Sequence, residues 1–250
     1  MATLFKPSNP VLRDRTFENV RALGLEQTMT LNGTVNKTGF LLICAIATAS
    51  WTWHLARSGE PGAVGLPLIV GLLGGLVVAI ATAFKPAWSP VTAPLYSLLE
   101  GLVLGGISAL FEASYPGIAI QAVMLTLGTL VCMLVLYRAR VLQATEKFKI
   151  GVIAATSGIC LVYLVSIVLG FFGIQIPKIY DAGPIGIAFS LIVVAIAALN
   201  LVLDFDLIER GAAQGAPKYM EWYGGFAVMV TLIWLYLEIL RLLAKLRSRR

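Results

Sequence analysis

Four acidic residues of this sequence lie within long apolar stretches or at their ends. Glu100 falls near the middle of one stretch, Asp204 and Asp206 close to the end of another, and Glu238 well inside the last. A carboxylate at membrane depth is costly and usually faces a partner or a cavity, so these residues are the first candidates for function. Two structural alternatives stay open. Asp204 and Asp206 could end a helix in solvent, and Glu238 could pair locally with Arg241, one turn on.

The chemistry open to such acids is the binding of protons and hard cations. Asn200 lies one helical turn before Asp204 and extends a polar stripe along the same face. Calcium prefers oxygen ligands, and neighbouring carboxylates also compete for a shared proton and titrate together. The sequence therefore predicts a gate whose state depends on pH, with calcium and protons as its ligands.

Other chemistries find little support in the sequence. His54 is the only histidine, which excludes HExxH metalloprotease chemistry and leaves few ways to build a nucleophile triad. Neither a GxxxxGK[ST] loop nor a GxSxG elbow occurs. Cys44, Cys132 and Cys160 each stand alone in an apolar stretch and are interpreted as small hydrophobic residues. We therefore expect no enzyme activity and no cofactor.

The elements that must position these acids are membrane-spanning helices. Hydrophobic residues make up 58% of the chain and charged residues 13%, about half the charged share of a soluble domain. A helix crosses the bilayer with about 20 apolar residues, and backbone groups in lipid need partners within the helix. The sequence predicts an all-α integral membrane protein with seven spans: 39–55, 63–84, 91–111, 118–137, 150–173, 183–203 and 222–243.

The charged residues predict how the chain is divided and oriented. A polar tail is expected over 1–38, a membrane domain over 39–245 and a basic tail over 246–250. Lys and Arg number five, one, four and two in the amino-terminal tail and alternate connections, against one, none and one in the others. This bias puts the amino terminus in the cytoplasm, and the confinement of basic residues to tails and loops argues against nucleic-acid binding.

The carboxyl-terminal tail conflicts with that orientation. An odd number of crossings would leave it outside, yet five basic residues close the chain and favour the cytoplasm: Arg241, Lys245, Arg247, Arg249 and Arg250. The side of the membrane on which this tail emerges stays open.

Glycines recur at short spacing in two of the predicted helices. Gly71, Gly74 and Gly75 lie in the second span, and Gly101 and Gly105 lie in the third, followed by Gly106. Small residues let helix backbones approach closely in a membrane, so these positions predict tight helix packing.

Several motifs resemble one family. LNLVLDFDLIERG (199–211) and WLYLEILRLL (234–243) are similar to the last two helices of the Bax inhibitor (transmembrane Bax inhibitor motif) family. SNPVLRDRTFENV, MTLNGTVNKTGFLL and PLYSLLEGLVLGGIS resemble its bacterial branch. The resemblance implies six helices packed around a central seventh, a place in the bacterial inner membrane, and a passive, pH-sensitive calcium leak.

The resemblance also implies roles for particular residues. Asp204 takes the place of the sixth-helix acid and Glu238 that of the seventh-helix acid, so both are expected to sense protons and bind calcium. Lys85 falls roughly where relatives carry an arginine that pairs with these acids. This sequence departs from the family pattern because Glu238 replaces aspartate and Lys85 replaces arginine, which turns a bidentate clamp into a point charge.

The separation of the two acids leaves other pairings open. At about 1.5 Å per residue, Asp204 would lie about 10 Å from the turn between its helix and the next, and Glu238 about 30 Å. Glu221 matches the depth of Asp204 and Asp206, and Glu100 could approach Glu238. Asp206, Glu100, Glu221 and Asn200 are therefore further candidates for an ion pathway.

Two other functions compete with the channel. A non-conducting regulator that binds other membrane proteins, of unknown identity, would use the same packing glycines and basic tail. A secondary transporter would require broken helices, and the predicted spans are mostly unbroken.

Overall fold

The computed structural model describes residues 28–58, 62–173 and 181–249. Within these residues it contains seven helices long and apolar enough to cross a membrane. They are α1 (Leu31–Arg57), α2 (Gly65–Phe84), α3 (Ser89–Ser114), α4 (Ile118–Arg138), α5 (Glu146–Phe171), α6 (Pro184–Ala213) and α7 (Met220–Ser248). The predicted all-α class with seven spans is confirmed.

Local capping explains where several helices begin. The hydroxyls of Thr30 and Thr145 accept hydrogen bonds from the third amide of α1 and of α5, which satisfies donors that have no partner inside the helix. Pro184 opens α6, where its missing amide costs nothing. Gly117, at φ 80°, makes the tight connection into α4.

The helices extend beyond the apolar stretches that predict them. Helix α1 begins at Leu31, inside the predicted polar tail, and α7 continues to Ser248, past the predicted end of the membrane domain. The part of that tail before residue 28, including the SNPVLRDRTFENV motif, lies outside the described residues, as does Arg250. A polar or charged turn at the end of a helix stays helical when its side chains form hydrogen bonds or ion pairs. Hydropathy alone does not reveal such contacts.

Helix α7 is the centre of the bundle. Buried residues make up 61% of its most apolar window, against 39% or less in every other helix. It packs against α1, α3, α4 and α6, while α2 lies outside on α3 and α5 lies outside on α6. The predicted central position of the seventh helix is therefore confirmed. Four of the described helices pack around it, and α2 and α5 lie farther out.

Apolar packing on two sides of α7 holds this arrangement together. Leu201 of α6 and Leu235 of α7 belong to a buried group shared with α4, and Leu41 and Met229 belong to another shared by α1, α3 and α7. Many large apolar side chains, such as Phe84, point outward instead. An apolar exterior of this kind is what lipid solvates.

Glycines bring the backbone of α3 against those of α1 and α2. A methyl group on Gly105 would collide with the carbonyl oxygen of Ala49, and one on Gly71 would lie 2.6 Å from that of Leu99. Thr48 adds a hydrogen bond of 2.8 Å to the carbonyl of Leu98. The close packing predicted from these glycines is confirmed.

Candidate functional site

Two contacts show the register between α6 and α7. Thr231 hydrogen-bonds to the Asp204 carboxylate, and the Lys245 ammonium donates to Ser190 Oγ at 2.9 Å. Asp204 and Ser190 are separated by fourteen residues, and so are Thr231 and Lys245, so the antiparallel helices stay in step. Glu238 lies midway and is level with Ala197 of α6.

This register separates the two acids that the family resemblance pairs. Glu238 follows the level of Asp204 by seven residues of α7, which is about 10 Å along the helix axis. Glu238 and Asp204 have different hydrogen-bond partners. The structure thus places Asp204 and Glu238 two turns apart along one interface and does not bring them into contact.

Glu238 is buried beside a tyrosine and an arginine. Its side chain is 2% exposed, and its Oε1 atom accepts hydrogen bonds from the Tyr163 hydroxyl at 2.7 Å and from Arg241 at 2.8 Å. Arg241 also donates to the Tyr163 oxygen at 2.9 Å. Glu238 Oε2 is buried without a hydrogen-bond partner among the described residues. The local pair with Arg241, one of the alternatives for this acid, is therefore formed.

The two acids of α6 have different surroundings. Asp204 Oδ2 is buried and lacks a hydrogen-bond partner within the described part of the chain. Asp206 Oδ2 lies 3.2 Å from the Lys149 ammonium of α5 and 2.5 Å from the Arg210 guanidinium. Asp206 thus forms ion pairs in the last third of α6, whereas Asp204 faces the interior of the bundle.

Polar side chains continue between these levels. Asn200 donates to Thr156 of α5 at 2.8 Å. We call the whole series the polar seam. It comprises Lys149, Thr156 and Tyr163 of α5, Ser190, Asn200, Asp204 and Asp206 of α6, and Thr231, Glu238, Arg241 and Lys245 of α7.

The seam has a sequence signal that the search for isolated acids misses. Lys149, Thr156 and Tyr163 are spaced by seven residues, and so are Thr231, Glu238 and Lys245. Residues seven apart lie on nearly the same face of a helix, with a drift of about 20°. This spacing would have added Tyr163, Thr231 and Lys245 to the candidate residues.

Lys85 lies away from the polar seam. It follows the last residue of α2, with its ammonium 4.3 Å from the centre of the Trp88 ring. The structure does not bring Lys85 to Asp204 or Glu238, and Arg241 is the cation beside Glu238. Because Glu238 and Arg241 are three residues apart on the same helix, α7 itself supplies the cation that pairs with this acid.

Glu100 and Glu221 also take partners other than those considered from depth. A methyl group on Gly75 of α2 would lie 2.6 Å from Glu100 Oε1, so this carboxylate faces α2 and not Glu238. Glu221 is fully buried and accepts from the amide and the hydroxyl of Thr30, both at 2.9 Å. It also pairs with Lys37. Glu221 therefore fastens the start of α1 to the start of α7.

The seam provides scattered oxygen ligands and no closed metal site. No group of three or more His, Cys, Asp or Glu side chains able to hold a metal occurs within residues 28–58, 62–173 and 181–249. Calcium takes about 6–8 oxygen ligands, so an ion in the seam would keep part of its water shell. The arrangement suits brief contact with a cation and exchange of protons.

Within the described residues, six spanning helices and a buried seventh, with acids and bases between α5, α6 and α7, define a multi-pass membrane protein with a charged interior. The chain belongs to the Bax inhibitor 1 like family, whose model matches residues 9–248. Comparisons with curated proteins and with solved structures found no match. The family resemblance drawn from the sequence motifs is confirmed.

Proposed function

We propose that this chain is a passive, proton-sensitive pathway for cations, with calcium as the transported ion, along the polar seam. Family membership supports a role of this kind. The observation that carries the proposal is that Asp204 and Glu238 each keep one buried carboxylate oxygen without a hydrogen-bond partner among the described residues. Such an oxygen is costly to bury and gains most from a proton or a cation.

Glu238 is the proton sensor in this proposal. Tyr163 faces it from α5, Arg241 and Lys245 are its charged neighbours on α7, and Ala197 of α6 lies level with it. While Glu238 is ionised it holds Arg241 in the seam, where a positive charge repels calcium. A proton on Glu238 removes the charge that holds Arg241, so the guanidinium can turn to the outside and calcium flux rises on acidification.

Asp204 is the cation ligand in this proposal. Its Oδ2 atom, which has no hydrogen-bond partner among the described residues, and the Thr231 hydroxyl lie about two turns from Glu238, and the Asn200 side chain lies between the two levels. Conduction requires binding weak enough for the ion to leave, and one carboxylate with neutral oxygens meets that condition. Calcium would pass this level with its remaining ligands supplied by water.

Calcium flux into proteoliposomes tests both roles. As the pH is lowered, the unaltered chain should show rising flux. Glu238→Gln, which cannot hold Arg241 by charge, should give high flux that no longer depends on pH. Asp204→Asn, which loses a charged ligand, should lower flux roughly tenfold or more at every pH.

The matched control is Glu209→Gln, since this acid is 41% exposed near the end of α6 and its partners Arg140 and Tyr137 lie outside the seam. It should leave both the flux and its pH dependence unchanged. Absence of flux from the unaltered chain, or equal flux in all four proteins, would rule out the channel.

We also propose that the protein resides in the cytoplasmic membrane of a bacterium with its amino terminus inside. The resemblance of its motifs to bacterial members and the distribution of Lys and Arg among the connections support this placement.

The alternative function, a non-conducting regulator that binds another membrane protein, is favoured by one observation. Gly151 and Gly158 of α5 have open space where a side chain would stand, unlike the packed glycines of α2 and α3. Small residues on a lipid-facing helix permit close approach of another helix. Gly158→Leu should then abolish co-purification of that partner, while Gly128→Leu should not, because Gly128 is open but is the single glycine of α4, whereas Gly151 and Gly158 share one face of α5.

A further inference from the structure

A second feature of the bundle lies on the other side of α7. A cleft of about 530 Å³ lies between α1, α3, α4 and α7, and this volume is within the usual range of about 300–1,000 Å³ for ligand pockets. Met229 and Ile233 line it, two residues before and after Thr231. Residues two apart point about 200° apart around a helix, so the cleft and the polar seam occupy opposite faces of α7.

The cleft opens to the membrane and is closed toward the protein. Its walls include Ile46 of α1 and Val123 of α4, which are 62% and 39% exposed. Its floor includes Met229 and Leu232 of α7, which are almost fully buried. A lipid-facing opening with a buried apolar floor admits hydrocarbon from the side.

The length and position of the cleft match one leaflet of a bilayer. Along α1 it runs from Leu42 to His54, which is about 18 Å. Half of the hydrocarbon core is about 15 Å thick. The wall formed by α4 starts at Ala119, the second residue of that helix, so both walls reach the membrane surface at the same end.

Polar groups available to a ligand lie at that surface end. On the buried side of the cleft the hydroxyls of Ser108 and Tyr236 bond to each other at 2.7 Å, and in the α4 wall Thr126 donates to the Ala122 carbonyl at 2.8 Å. Near the surface the cleft is lined by Ser50 and His54. The interior therefore suits an apolar chain, and the surface end suits the polar group attached to it.

We propose that the cleft binds one acyl chain of a membrane phospholipid. The chain would lie along Met229 and Leu232, with its ester oxygens at the level of Ser50 and His54. The exposed Arg57, at the end of α1, would meet the phosphate. This site does not depend on ion conduction, because none of its residues belongs to the polar seam.

Photolabelling of the full chain tests the site. The protein is reconstituted in vesicles of phosphatidylethanolamine and phosphatidylglycerol that contain a trace of phospholipid with a diazirine midway along one acyl chain. After illumination, mass spectrometry should find labels on Ile46 and Val123 several-fold above those on Val131 and Ile80, which are lipid-exposed outside the cleft. Equal labelling of all four would mean ordinary surrounding lipid and would overturn the proposal.

A pair of matched variants sharpens the test. Val123→Trp fills the cleft and should reduce labelling of Ile46 several-fold, whereas Val131→Trp on the same helix should not. Unchanged labelling in a folded Val123→Trp protein contradicts the proposal, as does labelling by a free fatty-acid probe but not by the phospholipid. The pattern in the unaltered chain remains decisive if Val123→Trp does not fold.

Discussion

At the scale of single residues, Glu238 determines what the middle of α7 can tolerate. Its carboxylate is almost completely buried, and the Arg241 side chain that pairs with it is 38% exposed. A buried charge that loses its partner is strongly destabilising, whereas replacing both members of a pair by neutral groups costs much less. The pair should therefore behave as a unit.

Arg241→Gln should lower the free energy of unfolding by about 1–3 kcal/mol, because it leaves Glu238 charged and buried. Adding Glu238→Gln should recover part of that loss, with a coupling energy of about 0.5–3 kcal/mol. Denaturant unfolding in detergent micelles measures both values. Arg210→Gln serves as the control, since Arg210 is 52% exposed and its partner Asp206 keeps Lys149. Strictly additive effects of the two substitutions would contradict this account.

Sequence reasoning identifies Asp204, Asp206 and Glu238 because an acid in an apolar stretch is conspicuous. The search for isolated acids does not identify Tyr163 or Thr231, since a hydroxyl in a membrane helix is ordinary and its partner depends on the register between helices. That register is set by the short connection after α6 and by packing, which hydropathy does not encode. The contact between Lys85 and Trp88 is also missed, because a flexible lysine side chain packs on the nearest aromatic ring.

At the scale of helices, close packing through glycine separates the interior faces from the lipid-facing ones. Gly105→Ala should destabilise the protein by about 1–3 kcal/mol, because the added methyl group meets the Ala49 carbonyl of α1. Gly158→Ala should be neutral or stabilising by up to about 1 kcal/mol, because space is open there and alanine favours the helix. Thermal unfolding of the two purified variants compares them directly, and equal losses would be inconsistent with this packing.

The start of α1 depends on a side chain from α7. Glu221→Gln keeps the shape of the side chain but can place an amide group against the Lys37 ammonium, and it weakens the bonds to Thr30. Amide hydrogen exchange over residues 30–34 should quicken roughly tenfold, corresponding to about 1.4 kcal/mol of lost local stability.

Glu146→Gln is the matched control for this measurement, because its exposed carboxylate pairs with Lys149 at the start of another helix. It should leave exchange at residues 30–34 unchanged. The same contacts explain why seven spans are readily predicted while the start of α1 is not. The polar start of α1 is helical because Glu221, far away in sequence, accepts hydrogen bonds from Thr30 and pairs with Lys37.

At the scale of the whole molecule, the bundle removes the conflict between seven crossings and a basic carboxyl terminus. Arg241 is bonded to Glu238, Lys245 to Ser190, and Arg247 to the Pro116 carbonyl at 2.7 Å and to Gln121 at 2.9 Å. Basic residues that are bonded within the bundle do not influence the orientation of the chain as strongly as basic residues in a loop do. The last helix can therefore cross in spite of its own tail.

This reasoning predicts that α7 crosses completely and leaves the two ends of the protein on opposite sides. In a background with Cys44, Cys132 and Cys160 replaced by alanine, single cysteines at exposed positions report the side of each connection to a membrane-impermeant thiol reagent. Ser58→Cys and Ser248→Cys should react from one side, and Gln143→Cys and Gln214→Cys from the other. Reaction of Ser248→Cys together with Gln214→Cys would mean that α7 returns to the side from which it entered. The preference of its basic tail for the cytoplasm would then outweigh the hydrogen bonds that these residues form within the bundle.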